Sequence, residues 1–281
     1  MSNVPDIRLE SLTVGYDGAA VVSDINAVLP GGRVSVILGG SGSGKSTLLK
    51  HILHLETPIS GNIYLGPHDI CCLSKQAMYC IKQRIGVLFQ DGALLGSMSL
   101  HDNVALPLRE HTRLSKQRIR EVVTDKLALV GLERFLDYYP NQLSGGMRKR
   151  AGLARAMVMD PAILFCDEPT SGLDPVTAAE LDQLLLELHQ RFGMGMVVVS
   201  HDLANMRAIG DFVMVLGDGK VLFQGAKDEL EAVEDPYLRR FLDRKAEERK
   251  EPRVREAAVD PSVMKVDCSQ YWSIGASKDH A

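Results

Sequence analysis

Nowhere in its 281 residues does the chain sustain the roughly 20 apolar positions that a bilayer-crossing helix requires. A membrane-spanning part is therefore not expected of it. The opening residues Met1-Ser2-Asn3-Val4-Pro5-Asp6 lack a basic start and an apolar core, so no secretory leader is expected. Charge of one sign is missing too. Lys plus Arg number 32 against 36 Asp plus Glu, a well-mixed net of −4 that excludes the basic footprint of a nucleic-acid binder. Cysteine is scarce: Cys71, Cys72, Cys80, Cys166 and Cys268 show neither disulfide nor metal spacing and suit a reducing cytosol. No internal repeat is visible, and the length suits a single domain with a tail.

What is present is glycine in a particular order. Gly39-Gly40-Ser41-Gly42-Ser43-Gly44-Lys45-Ser46-Thr47 contains G-x-x-x-x-G-K-[ST]. The run Arg33-Val34-Ser35-Val36-Ile37-Leu38 before it reads as a buried strand, and Leu48, Leu49, Ile52 and Leu53 after it fall at helical spacing. Strand, glycine loop and helix together form a phosphate cradle, with loop N–H groups and the helix N-terminus supplying positive potential. Lys45 reaches the β- and γ-phosphates of a nucleotide in such a cradle, and the Ser46 hydroxyl is placed to ligate Mg²⁺.

Carboxylates follow downstream. Ala162-Ile163-Leu164-Phe165-Cys166 is a short apolar run that ends in Asp167-Glu168-Pro169. In a parallel sheet beside the loop strand, both carboxylates reach the phosphate end, Asp167 for Mg²⁺ and Glu168 to polarise an attacking water. Met196-Val197-Val198-Val199-Ser200 reads as another strand of that sheet and ends at His201, within reach of a γ-phosphate. Gln90 closes Ile85-Gly86-Val87-Leu88-Phe89 and is placed to bridge Mg²⁺ or water. Further on, Leu143-Ser144-Gly145-Gly146-Met147 opens a helical stretch from Met147 to Met159, whose first N–H groups form an anion site. With a cradle already at 39–47, this second site is free to face a phosphate supplied elsewhere.

The remaining pattern is coarser. Residues 7–27 alternate around turns as a small antiparallel β layer, with Tyr16 in its loop, and a parallel core begins at Arg33. From Asp91 to Met159 the chain reads as mostly helical. One helix there carries Ile119, Val122, Val123, Leu127 and Val130 on its apolar face, with Ser115 as N-cap and Gly131 as stop. Residues 212–216 pair with 221–224 as a hairpin across Gly217-Asp218-Gly219-Lys220.

In this order and spacing, Tyr16, residues 39–47, Gln90, 143–146, Asp167-Glu168, Ser171-Gly172-Leu173-Asp174 and His201 resemble an ABC-type ATPase domain over roughly residues 6 to 240. The resemblance implies an α/β P-loop NTPase fold of ABC type: a mixed parallel sheet core, an N-terminal antiparallel β layer, and a helical subdomain at about 91–160. It assigns an ATPase domain to 6–243 and a charged tail to 244–281. It also implies a head-to-tail sandwich homodimer, with ATP and Mg²⁺ as cofactors and Tyr16 as adenine platform. In that arrangement Ser144, Gly145 and Gly146 cap the ATP of the second copy, and Asp174 lies at the seam.

Two stretches narrow the resemblance to the ATPases of Mla/Mce-type lipid transporters. One is Phe89-Gln90-Asp91-Gly92-Ala93-Leu94-Leu95 with residues 102–112 after it; the other is Leu143-Ser144-Gly145-Gly146-Met147-Arg148-Lys149-Arg150. Leu95 stands where these relatives commonly carry an aromatic residue, a departure that bears on the permease contact and not on the chemistry. The implied system moves phospholipid or another hydrophobic molecule between bacterial membranes. It uses an integral membrane permease and a periplasmic Mce-domain protein, with this chain peripheral on the cytoplasmic side of the inner membrane. A motor for amino acid import or lipoprotein release shares every catalytic motif. A soluble nucleic-acid or ribosome-acting ABC protein would carry two ATPase units or a long coiled-coil insertion, and neither is found. The charged run at 243–251 reads as a solvated helix end or linker. The composition beyond Pro252 reads as a disordered tail, or as one that Tyr271 and Trp272 anchor on a partner or on the other ATPase copy.

Overall fold

The structure is a computed structural model that describes residues 4–243. The tail from 244 onward, with Cys268, Tyr271 and Trp272, lies outside the described residues, as does the charged run beyond Asp243.

Strands β1 (Ile7–Tyr16) and β2 (Ala19–Leu29) form a hairpin whose turn is Asp17-Gly18, with φ of 50° and 79°. Two consecutive positive φ values make the tight turn that matches strand twist, and Asp-Gly supplies them cheaply. Next come β3 (Val34–Gly39), α1 (Lys45–Ile52), β4 (Ser60–Leu65), the two-residue β5 (His68–Asp69), α2 (Lys75–Lys82) and β6 (Ile85–Leu88). Three helices follow: α3 (Leu100–His111), α4 (Lys116–Leu129) and α5 (Gly145–Met157). The chain then runs through β7 (Ile163–Asp167), α6 (Pro175–Phe192), β8 (Gly195–Ser200), α7 (Leu203–Ile209), β9 (Phe212–Gly217), β10 (Lys220–Ala226), α8 (Lys227–Ala232) and α9 (Pro236–Leu242).

The strands form two sheets, ordered β2-β1-β4-β5 and β10-β9-β3-β8-β7-β6. The first is antiparallel; in the second every pairing is parallel except that of β10 with β9. The layer expected from residues 7–27 is thus wider, because β4 and β5 join it. Their pattern hides them: β4 buries only Ile63 and leaves the rest half covered or exposed.

The larger sheet divides two cores by the two-residue period of its strands. Val36, Leu38, Leu164, Cys166, Met196, Val198, Val213 and Val215 face the core shared with the helices. Their alternates Ile37, Ile163, Phe165, Val197, Val199, Met214 and Leu216 face the core shared with α1 and the antiparallel layer. Such two-sided burial is why these strands read as continuous apolar runs. The β9–β10 hairpin turns on Asp218-Gly219 (φ 49° and 70°), with Gly217 paired to Lys220, and a bulge lies between Val221 and Phe223. That turn also reaches the other sheet: the Ser23 N–H donates to Gly219 O at 2.9 Å, and Gln224 Nε2 donates to Asn26 O at 3.0 Å.

Helix α4 starts where the Ser115 hydroxyl accepts the Arg118 N–H (3.2 Å) and stops at Gly131, which takes φ 73°. Its Ile119, Val123 and Leu127 are buried as the spacing requires. Helix α6, absent from the sequence reading, has full signals at both ends: Asp174 as N-cap, Pro175 in the first turn, and Gly193 at the end with φ 60°.

One polar contact lies deep between α6 and α7. Asn205 Nδ2 donates to Asp182 Oδ1 at 2.6 Å, while Asn205 Oδ1 is buried without a donor. Burial pushes the Asp182 carboxyl up to about 6, against the Asn205 bond that lowers it, and the nearby Asp202 charge adds to the rise. The folded state therefore binds this proton more tightly than the unfolded chain. Stability from the protonated acid is full below about 4 and is lost as pH rises through about 6. Asp182→Asn, which removes the charge and can donate to Asn205 Oδ1, should raise the melting temperature at pH 7.5. The gain should shrink toward pH 5; thermal melts at both pH values check this.

Candidate active site

Parallel strands send all their C-terminal ends to one edge of the sheet, and the candidate residues gather there. The loop 40–44 leaves β3 and turns into α1. It closes tightly at its start, where a Cβ on Gly39 would lie 2.4 Å from Leu216 O and 2.5 Å from Ser43 Oγ. At its end Gly44 caps α1 with φ 93°, and a Cβ there would strike Val22 Cγ2 at 2.3 Å. Around Gly40 and Gly42, by contrast, a Cβ would meet nothing within 4 Å, so this rim is open to a ligand.

Lys45, the first residue of α1, is 5% exposed. Its Nζ donates to Gly39 O (2.9 Å) and Gly40 O (2.7 Å), which leaves one of three ammonium N–H groups for a ligand. Burial holds its pKa below the ordinary lysine value, against the nearby charges of Glu168 and Asp167. The Ser46 Oγ donates to Asp167 Oδ1 at 3.3 Å, from α1 to the end of β7, which is not beside the loop strand β3 as expected because β8 lies between them. Burial pushes the Asp167 carboxyl up; the Ser46 bond opposes this, and the Glu168 charge adds to it. A hydroxyl beside a carboxylate whose burial outweighs the help of Ser46, Lys45 and Lys50 fits a hard divalent cation. Among the described residues no group of three His, Cys, Asp or Glu side chains could hold a metal.

Glu168 has a left-handed backbone, φ 47°, a costly conformation for a residue with a long side chain. Its N–H donates to Val199 O at 2.9 Å, and its Oε1 lies 3.1 Å from His201 Nδ1. The expected convergence of the β7 and β8 ends is therefore realised in a direct Glu168–His201 contact. Gln90, just past β6, donates through Nε2 to Ser171 Oγ at 3.4 Å. Tyr16 ends β1 and is not in the loop as expected. It is 38% exposed, with Lys50 Nζ 5.6 Å from its ring centre.

Ser144 caps α5, its Oγ accepting the Met147 N–H at 3.2 Å. The helix starts at Gly145, two residues before the expected Met147, and ends at Met157. Gly146 packs against α6, where a Cβ would lie 2.7 Å from Thr177 Cγ2. Asp174 accepts the Val176 and Thr177 N–H groups at 3.1 Å; the Thr177 side chain first, and then these backbone bonds, hold its carboxyl below the usual range. Among the described residues no hydrogen bond joins 144–146 to the loop at 39–47. Lys149, which the sequence reading gave no role, donates to Glu168 O at 3.2 Å; no motif spacing marks it.

The family profile described as ABC transporter matches residues 22–171. The chain belongs to the ABC transporter family. It is 39% identical over 243 residues to the intermembrane phospholipid transport system ATP-binding protein MlaF of Escherichia coli K12, covering 86% of this chain and 90% of that one. It is 43% identical over 236 residues to the probable ribonucleotide transport ATP-binding protein mkl of Mycobacterium tuberculosis H37Rv. That match covers 84% of this chain but 66% of the relative, just under two thirds of its length. Among solved structures, the dimeric post-hydrolysis state of the ATP-binding cassette MJ0796, bound to ADP and Pi, superposes with a TM-score of 0.72. It is 33% identical and covers 78% of this chain and 98% of that one. The fold is that of an ABC ATPase cassette.

Lys45→Ala removes the buried ammonium and should weaken ATP affinity about tenfold or more, the scale of a charge-assisted hydrogen bond. Equilibrium titration with ATP checks this.

Proposed function

We propose that this chain is the ATP-hydrolysing subunit of an ABC transporter that powers phospholipid or other lipid transport between bacterial membranes through a separate permease. The observation that carries the hydrolytic reading is the meeting of Lys45, Ser46, Asp167, Glu168 and His201 at one sheet edge. The lipid cargo rests on the likeness to MlaF.

Lys45 and the N–H groups of the 39–47 loop hold the β- and γ-phosphates, and Tyr16 offers its ring to the adenine. Ser46 and Asp167 would hold Mg²⁺, with Gln90 adjoining through water, and the ion when bound neutralises charge developing on the phosphates. Glu168 accepts a hydrogen bond from the attacking water and aligns it; His201 holds the Glu168 carboxylate and faces the γ-phosphate. In-line phosphoryl transfer asks little more than such positioning. Ser144, Gly145 and Gly146, tied to no loop residue among the described residues of their own chain, cap the nucleotide of a second copy. Asp174, beside them through Thr177, lies at that seam. ATP binds the closed homodimer better than the open one, so hydrolysis reopens it.

The permease has a place to dock. A groove of about 380 Å³ runs between α2, β6, α3 and α5, lined by Tyr79, Phe89, Pro107, His111, Arg155 and Met159 among others. Of its lining, Phe89, Pro107 and His111 belong to the stretches that resemble the lipid-transport ATPases. Among the described residues no helix is long and apolar enough to cross a membrane. We place the chain on the cytoplasmic face of the inner membrane, in a complex with the permease and an Mce-domain lipid-binding protein, and assign the ATPase domain to 6–243 with its helical subdomain at about 91–160.

Glu168→Gln should keep ATP affinity, lower turnover about a thousandfold and accumulate an ATP-bound dimer, which phosphate release and gel filtration measure. Ser144→Arg should leave ATP binding to each monomer intact and abolish dimer closure. Mass spectrometry of the solubilised native assembly should find a permease with an Mce-domain subunit. A solute-binding protein in their place assigns the motor to another cargo.

A further inference from the structure

Lys149 is buried, 5% exposed, in the second turn of α5. Among the described residues it forms no ion pair; its Nζ donates to a backbone carbonyl, Glu168 O, at 3.2 Å. An ammonium taken from water without a carboxylate against it is costly. Burial accordingly holds its pKa below the ordinary value, while the charges of Asp91 and Glu168 partly compensate. A helix that needed only packing at this position would be more stable with a leucine or methionine.

The carbonyl it reaches belongs to the residue with the left-handed backbone. Glu168 is restrained through its N–H by Val199 O on β8 and through its side chain by His201. Its C=O accepts the Ser171 N–H of its own turn at 3.2 Å and, from the helical side, Lys149 at 3.2 Å. That helical side is built as one piece with the segment after Gln90. A Cβ on Gly152 of α5 would lie 2.8 Å from Gly92 Cα, so the two backbones touch. Arg155, also on α5, donates to Ala93 O at 2.8 Å and Gly92 O at 2.9 Å. A displacement of α5 therefore carries residues 92–93 with it and pulls on the Glu168 peptide through Lys149.

We propose that Lys149 is a positioning residue for the reaction, fixing the Glu168 peptide from α5 so that the carboxylate is correctly aimed only when α5 and the segment after Gln90 are seated. This rests on the reading of Glu168 as the group that aligns water. Lys149 does not touch nucleotide; it acts through Glu168, so its loss slows turnover and spares binding.

The test is steady-state ATP hydrolysis by the full-length protein in its native membrane assembly. Lys149→Met should lower kcat about tenfold or more with KM for ATP within about twofold, the signature of misaimed chemistry. Lys149→Arg, which keeps a charged donor, should restore most of kcat. Lys149→Met within about twofold of wild-type kcat overturns the proposal, as does a KM that rises in step with the loss. Should the methionine variant not fold, Lys149→Gln and Lys149→Arg decide: a faster arginine variant supports the proposal and equal rates overturn it. Glu168→Gln, run alongside, separates the two readings. If it is inactive while Lys149→Met is normal, only the role of Lys149 falls; if it hydrolyses ATP normally, the assignment of Glu168 falls and takes Lys149 with it.

Discussion

A parallel sheet must deliver every strand's C-terminal end to the same edge, and the chemistry of this chain depends on that constraint. Lys45, Asp167 and His201 are far apart in sequence, yet each follows or ends a strand that pairs in register with its neighbour: Leu38 with Ser200, Asp167 with Val199. Register sets the height of each group above the sheet. Slipping β7 by one residue would turn Asp167 to the other face and exchange Cys166 for Phe165 in the cores. The dry packing of both cores therefore fixes the geometry of the polar edge.

Much of this was legible because the signals are chemical as well as periodic. The loop 39–47 needs glycine for its close approaches and lysine for its charge, and the apolar runs around it are long enough to assign. The buried face of α4 was legible for the same reason: Ile119, Val123 and Leu127 repeat at helical spacing between a hydroxyl cap and a glycine stop. Where the pattern failed, burial was partial. β4 is half covered and short, so its residues do not alternate cleanly, and β5 is too short to carry a pattern. Tyr16 was misplaced by one element because the Asp17-Gly18 turn is so tight that the strand continues to its edge.

The side-chain contacts of the site lay further from view. Glu168 with His201, Gln90 with Ser171, and Lys149 with the Glu168 carbonyl join residues whose separation in sequence carries no information about distance. Lys149 was hidden most thoroughly, since lysine in a run of Arg148, Lys149 and Arg150 reads as solvated charge. Only the structure shows that the middle one turns inward. Asp182 was concealed similarly, as one of three acidic residues on α6 with Glu180 and Glu187.

The tie between the two sheets has a consequence for how the molecule lives among its neighbours. β2 and β10 are both outermost strands, and an outermost strand offers unpaired backbone groups to any passing chain. Here the Ser23–Gly219 and Gln224–Asn26 bonds turn those two margins toward each other, so each shields its counterpart from unwanted strand addition. Among the described residues the far margin, β6, has no such tie to another strand, and it lies along the groove. A permease seated there would shield it, and a chain made in excess of its partner would carry that margin bare.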